Sequence, residues 1–296
     1  MDPRDLEKIH AVIFRELNSR NQTGVISCAL SAFDIALWDI IGKKEGRTVA
    51  QLLGGHKSEV QCYLTFGVPA YDRDQIAEAA KKHQKAGFTG FKMVAGRAHV
   101  GWREDARRIR AVRDAIGPDA HLMVDANYGF SPSEAKQLLT SVEDVKLTWF
   151  EEPVYQNDAS ALADLRRAAS TPLAAGQAEG HRWRFREFVE HRSLDVLQPN
   201  VCFVGGFTEG RKVAHLAQAY NLPIANGGGW PLLNMQLLAG MANGWLCEWH
   251  VTLIEVCENI FKNPPKPKNS VIKIPNKPGI GLEPNFDVLK ECRVKF

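Results

Sequence analysis

Between Val60 and His250 the chain alternates between two textures. Short runs rich in β-branched and aromatic residues are followed by polar stretches whose apolar residues recur every three or four positions. The first kind comprises VQCYLTF, GFKMV, HLMVDAN, LTWFEEP, PLAAGQ, LDVLQPN, LPIANGG and WLCEWH. Between them lie DQIAEAAKKHQKAG, REDARRIRAVRDAIG, PSEAKQLLTSVEDV, ASALADLRRAAS, WRFREFVEHRS, TEGRKVAHLAQAYN and LLNMQLLAGMANG. Each of these stretches is amphipathic at helical spacing, and several stop at Gly or Asn, as helices do. Strands alternating with helices of about 10–15 residues imply βαβ units and a parallel sheet. Eight strands with seven intervening helices predict a (β/α)8 barrel rather than an open doubly wound sheet. The glycine-rich phosphate loop such a sheet would carry after its first strand does not occur.

The barrel is expected over residues 58–252. Residues 1–57 read as a reduced helical capping segment that starts directly with helices, with no antiparallel strand pattern before them. In ISCALSAFDIALWDIIGKK, the residues Ala29, Ala32, Phe33, Ala36 and Leu37 form one helical stripe, expected to pack on the barrel. Residues 253–296, rich in Pro, Lys and Asn, predict an extended tail that wraps the surface and returns to the cap.

Composition narrows the class. The 296 residues are 45% hydrophobic and 24% charged, with a net charge of +3. That is ordinary for a soluble protein and too mildly basic to suggest nucleic acid. No apolar run is expected to reach the ~20 residues of a membrane span, and the charged start MDPRDLEKIH is not a signal peptide. Six cysteines lie far apart without a CxxC, as in a reduced, cytoplasmic protein.

Candidate chemistry appears at the strand ends, because (β/α)8 enzymes build their sites at the C-terminal face of the barrel. Strand 2 ends near Lys92, strand 3 at Asp125 and Asn127, and strand 4 at Glu151 and Glu152. Strand 5 ends at Gln177, strand 6 at Asn200, strand 7 at Asn226, and strand 8 at Glu248 and His250. Twenty-six positions separate Asp125 from Glu151 and again Glu151 from Gln177. Equal spacing places three oxygen side chains at equivalent heights on neighbouring strands. Such a cage suits a hard cation, Mg2+ first among them. The alternative is that these acids pair with Lys or Arg.

Several stretches are familiar together. SAFDIALWDIIGKKEGRTVAQLLGG, GFTGFKMVAG, MVDAN, WFEEP, AAGQAEG, VLQPNVCFVGGFTEGRKVAHLA and GWLCEWH resemble the mandelate racemase / muconate lactonizing enzyme group of the enolase superfamily. The resemblance implies a Mg2+-assisted removal of the proton α to a carboxylate, with the enediolate stabilised by charge. Many members of the group dehydrate sugar acids, so it implies a small carboxylate substrate and a homo-oligomer. It assigns Asp125, Glu151 and Gln177 to the metal, and Lys92 to the substrate carboxylate.

Three departures stand out. The K-x-K motif of strand 2 is K-x-V, with Val94 where a base usually stands. The His–Asp dyad of strands 7 and 6 is replaced by Asn226 and Asn200. Gln177 stands where an acidic ligand is usual, with Glu152 and Glu179 as alternative contributors. His250, on the same face of strand 8 as Glu248, becomes the leading proton-transfer candidate, ahead of His99 and His181. Asn226, Trp230 and Asn234 are expected to line the pocket. Arg182 and Arg184 could bind a distal carboxylate or form surface ion pairs. The expected activity is sugar-acid dehydration; the alternative is a non-catalytic member without a competent base.

Overall fold

The computed structural model describes residues 1–17, 24–67, 69–96 and 100–294. Seven parallel strands surround one axis: β1 (Glu59–Phe66), β2 (Gly90–Val94), β3 (His121–Asp125), β4 (Trp149–Glu151), β5 (Leu173–Ala175), β6 (Val196–Leu197) and β7 (Leu246–His250). They pair in the order β6-β5-β4-β3-β2-β1-β7. The expected seventh strand, LPIANGG, shrinks to a bridge. Ile224 pairs with Leu197 on one side and Gly244 on the other, which closes the barrel. The cause is local: Pro223 has no N–H for the ladder, and Gly228 and Gly229 turn away at φ +72°.

Before the barrel lie α1 (Leu6–Glu16), α2 (Val25–Glu45) and α3 (Val49–Leu53). Between its strands lie α4 (Arg73–Lys85), α5 (Trp102–Ile116), α6 (Pro132–Ser141), α7 (Ala159–Ala168), α8 (His181–Glu190), α9 (Gly206–Ala219) and α10 (Pro231–Gly240). Capping boxes at Asp72 and Ser131 fix the starts of α4 and α6. The helices bury apolar stripes such as Ile109, Val112 and Ile116 against the outside of the barrel. Inside it, Tyr63, Met123, Trp149, Val196 and Leu246 form a separate buried layer. This apolar floor forces the polar strand-end residues above it to one mouth.

The capping helix α2 docks by a different face than its pattern suggests. Ala29, Ala32, Phe33 and Ala36 are exposed, and of the expected stripe only Leu37 is buried. The inward face carries Ser31, Asp34 and Trp38 instead. The reason is the start of α9, where Gly205 offers no capping side chain. Asp34 accepts from the Thr208 N–H at 3.0 Å and the Thr208 hydroxyl at 2.6 Å, while Ser31 Oγ accepts from the N–H groups of Gly205 and Gly206 at 2.9 and 3.1 Å. One helix thereby satisfies the orphan donors of another. His10 on α1 donates to Asp34 at 2.8 Å from the other side. At 21 residues, α2 is also long and apolar enough to cross a membrane, contrary to expectation. Its Asp34, however, is fully buried in this network against α9.

The tail is less extended than expected. Residues 251–260 form α11 (Val251–Ile260), which buries Ile254 and Cys257. They are followed by β8 (Phe261–Lys262), β9 (Val271–Lys273), β10 (Glu283–Pro284) and α12 (Phe286–Glu291). β9 runs antiparallel to the start of β1. Beyond it, the Gly279 carbonyl accepts from Val49 N–H at 2.9 Å, and Ile280 N–H donates to Asp39 at 2.9 Å. Gly42 makes this contact possible: a Cβ there would stand 2.6 Å from Gly279 Cα. Helix propensity alone favours alanine at Gly42 by about 1 kcal/mol. The contact reverses the sign, so Gly42→Ala is expected to destabilise the protein by about 1–3 kcal/mol in urea unfolding. Unchanged or increased stability would show that the tail is not held against α2.

Candidate active site at the barrel mouth

Asp125 and Glu151 stand in register at the ends of β3 and β4. Lys92 on β2 is fully buried between them and Glu248 of β7. Its Nζ lies 2.6 Å from Glu151 Oε1, 2.8 Å from Glu248 Oε1 and 3.4 Å from Asp125 Oδ2. The other Glu151 oxygen accepts from Trp149 Nε1 at 2.9 Å and Gln198 Nε2 at 2.8 Å. Glu248 is held by the Thr65 hydroxyl and the Gly229 N–H. Three carboxyl groups surround one ammonium in a water-poor interior. Burial works against the Lys92 charge, but Glu151 and Glu248 outweigh it and hold the ammonium well above the usual lysine range. Burial works against Glu248 too, yet Lys92 and His250 bring it below the usual carboxylate range. Glu151 carries the excess: burial pushes it well up, and Lys92 offsets only part.

Gln177 does not sit at the height that equal sequence spacing implies. The register partner of Glu151 on β5 is Ala174, three residues earlier. Gly176 turns the chain at φ +118° and brings Gln177 back over the mouth. There its amide nitrogen donates to Glu152 Oε2 at 2.6 Å. Tyr128 and Asn157 donate to Glu152 Oε1 at 2.8 and 3.1 Å. A carboxylate accepts and does not donate, so this bond fixes which way the Gln177 amide faces. Its oxygen is turned toward Gly227. A Cβ at Gly227 would lie 2.8 Å from Glu151 Oε1 and 3.1 Å from Gln177 Oε1. Burial and Asp125 raise Glu152 to about 7, with its three donors pulling the other way.

These residues fit a hard divalent cation in two respects. Glu151 Oε1 and Gln177 Oε1 both lie within 3.1 Å of where a Gly227 Cβ would stand, and the donors are all oxygens, as Mg2+ requires. A divalent ion there would favour the ionised form of Glu151 that burial opposes. Among the described residues no three acidic, histidine or cysteine side chains already form a metal cluster. Lys92 occupies the centre of the acids, and the third ligand candidate is an amide.

The remaining predicted residues divide. His250 ends β7, half-buried, and its Nδ1 accepts from Thr252 N–H at 3.3 Å. Burial lowers its pKa against the opposing pull of Glu248. Asn127, at φ +45°, donates its N–H to Asp125 at 2.9 Å and lines a cavity of about 940 Å3. Arg184 lines the same cavity, but its guanidinium is already engaged. It donates to the Gln156 and Asn157 carbonyls at 2.8 Å each and pairs with Glu179 and Glu187.

Four other candidates are engaged in protein contacts. Arg182 pairs with Glu209 of α9 and stacks on Trp183. Asn226 is fully buried; its amide donates to Gly229 O at 2.9 Å and accepts from Glu248 N–H at 2.8 Å, so it shapes the glycine turn. Asn234 likewise bonds Val201, Asn200 and the turn carbonyls. His181 is buried against Phe14 of α1. Trp230 occupies the residue before α10, half-buried against the outer apolar core. His99 lies outside the described residues. Gln198, Thr65 and Tyr128 went unforeseen. Gln198 was readable, because it shares the inward parity of Val196 on β6.

Comparison with known proteins agrees with this geometry. Residues 75–288 match the enolase C-terminal domain-like family, and residues 2–54 match the mandelate racemase / muconate lactonizing enzyme N-terminal domain. The chain is 34% identical to the D-galactarolactone cycloisomerase of Agrobacterium fabrum, over 99% of its own length and 81% of the relative's. It is 30% identical to the arabinonate dehydratase of Saccharolobus solfataricus, over 92% and 74% of the two lengths. A racemase of Streptomyces coelicolor, solved with bound magnesium, superposes with a TM-score of 0.91 at 28% identity, covering 99% of this chain and 80% of that one. The strand-end acids, the (β/α) barrel and both domain matches make this chain a member of the mandelate racemase / muconate lactonizing enzyme family of the enolase superfamily.

Proposed function

We propose that the protein is a Mg2+-dependent lyase acting on a sugar acid, removing the proton α to the carboxylate and releasing the β-hydroxyl as water. One observation carries the reading: three carboxyl groups, of Asp125, Glu151 and Glu248, surround a single ammonium at the barrel mouth. A relative named as a cycloisomerase and another named as an arabinonate dehydratase support the choice of substrate class. A non-catalytic role would leave that buried charge, which costs folding energy, without a task.

Asp125, Glu151 and the Gln177 amide oxygen would hold the cation. Bound there, Mg2+ would polarise the substrate carboxylate and stabilise the charge that develops on it. Lys92, with three carboxylate partners already, serves as a fixed positive charge beside that carboxylate and not as the base. Glu248 keeps Lys92 in place and faces the same side of β7 as His250. His250 takes the α-proton and, as imidazolium, returns a proton to the departing β-hydroxyl: it stands at the half-open rim within the field of Glu248, Lys92 and Asp125. Asn127, beside Asp125 on the cavity wall, is placed to bond substrate hydroxyls. The enol left after loss of water becomes a 2-keto-3-deoxy acid.

A library of sugar acids, scored for 2-keto-3-deoxy products, should give at least one hit that needs Mg2+. Asp125→Asn should lower kcat on that substrate by about 10²–10³. A library without hits, run on folded protein shown to take up Mg2+, would contradict the reading. A base must be deprotonated to act. Because His250 is held below its usual value of about 6.5, kcat/KM should rise with pH through an apparent pKa below that value and be level by neutrality. His250→Asn should lower kcat by about 10²–10⁴. An unchanged profile in that variant would place the base elsewhere.

A further inference from the structure

The cavity of about 940 Å3 beyond the strand-end cluster reports on the far end of the substrate. It borders the cluster through Asn127 and Tyr128. Asn127 in its wall bonds Asp125, and Tyr128 bonds Glu152, the residue that orients Gln177. A sugar acid whose carboxylate lies at Lys92 and the cation has this space beside it, past Asn127 and Tyr128, for its hydroxylated chain.

The lining is acidic. Asp158, Glu179 and Glu187 contribute carboxylates, and Arg184 is the one cationic side chain among the described lining residues. Arg184 cannot serve as a receptor for a second carboxylate. Two of its contacts are carbonyls at 2.8 Å and two are carboxylates, Glu179 at 3.3 Å and Glu187 closer still. Its charge is thus already matched, and its planar fork is occupied in the geometry a substrate carboxylate would need. Asn157 ties the arrangement down, donating to both Glu152 and Glu179 at 3.1 and 3.2 Å. A distal carboxylate placed here would meet surplus negative charge and no free donor cation, whereas hydroxyls would find carboxylate acceptors and the Asn127 amide. The tyrosines at 128 and 155 offer apolar faces to a carbon chain.

Resting on the sugar-acid reading above, we infer that the site selects monocarboxylic sugar acids with a neutral polyol tail, aldonates, and rejects the dicarboxylic aldarates of the same length. The selection is repulsive: it comes from Glu179 and Glu187 more than from any contact unique to the aldonate.

The test titrates a matched pair, a six-carbon aldonate and the aldarate of the same configuration, into the full chain with Mg2+ present, after Mg2+ uptake by the same sample has been measured. Wild type is compared with the Glu179→Gln/Glu187→Gln double variant. The aldonate is expected to bind at least tenfold more tightly than the aldarate in the wild type. In the double variant the gap should close to threefold or less, chiefly because the aldarate binds better. Aldarate binding equal to or tighter than aldonate, a gap unaltered by the double substitution, or no binding of either acid to Mg2+-loaded protein would each overturn the inference. Absence of Mg2+ uptake would instead contradict the underlying lyase reading, and the inference with it. If the double variant fails to fold, the single Glu187→Gln variant, altering a half-exposed side chain, should still close part of the gap; an unmoved gap there also overturns it.

Discussion

The buried ammonium of Lys92 is the interaction around which the mouth of the barrel is organised. An ammonium withdrawn from water needs close counter-charges, and β3, β4 and β7 supply three of them within 3.4 Å. That solution creates a second problem, because three carboxylates exceed one cation. The surrounding donors answer part of it: Trp149 and Gln198 for Glu151, Thr65 and the Gly229 N–H for Glu248. These bonds spread the charge without cancelling it. The remainder falls on Glu151, whose Oε1 stands with the Gln177 oxygen against the bare Cα of Gly227. That is where a divalent ion would relieve the burial of Glu151.

The same economy of polar groups explains how the capping helix sits. α2 presents Asp34 and Ser31 to the barrel because α9 begins at Gly205 with no cap of its own. Gly206 is required there, since a Cβ would stand 2.1 Å from Asp34 Oδ2. The later strands are short where Gly176, Pro199 and Gly228 interrupt them. Those interruptions let Gln177 and the glycine turn fold back over the mouth, where continuous strands would carry them past it.

The barrel was legible in the chain because its helices and strands differ in period, and seven of eight strands and all seven connecting helices stand where those periods place them. The ladder of Asp125, Glu151, Lys92 and Glu248 was legible because the strand ends alone carry the chemistry of such a barrel. Three things were not. The height of Gln177 depends on strand register, and equal spacing in sequence does not report it. The stripe on α2 is apolar but exposed, because the inward face was chosen by hydrogen bonding to another helix and not by hydropathy. Arg182 and Arg184 look alike in sequence, yet about half a turn of α8 sends the first to Glu209 and the second to the cavity. Which charges an arginine already answers is a tertiary fact.

The central claim is that the strand-end carboxylates hold a divalent cation. The most direct measurement is a calorimetric titration of Mg2+ into the wild-type protein beside Glu151→Gln. The account predicts one site per chain in the wild type and none in the variant. Equal binding by both proteins, or no binding by the wild type, would contradict it.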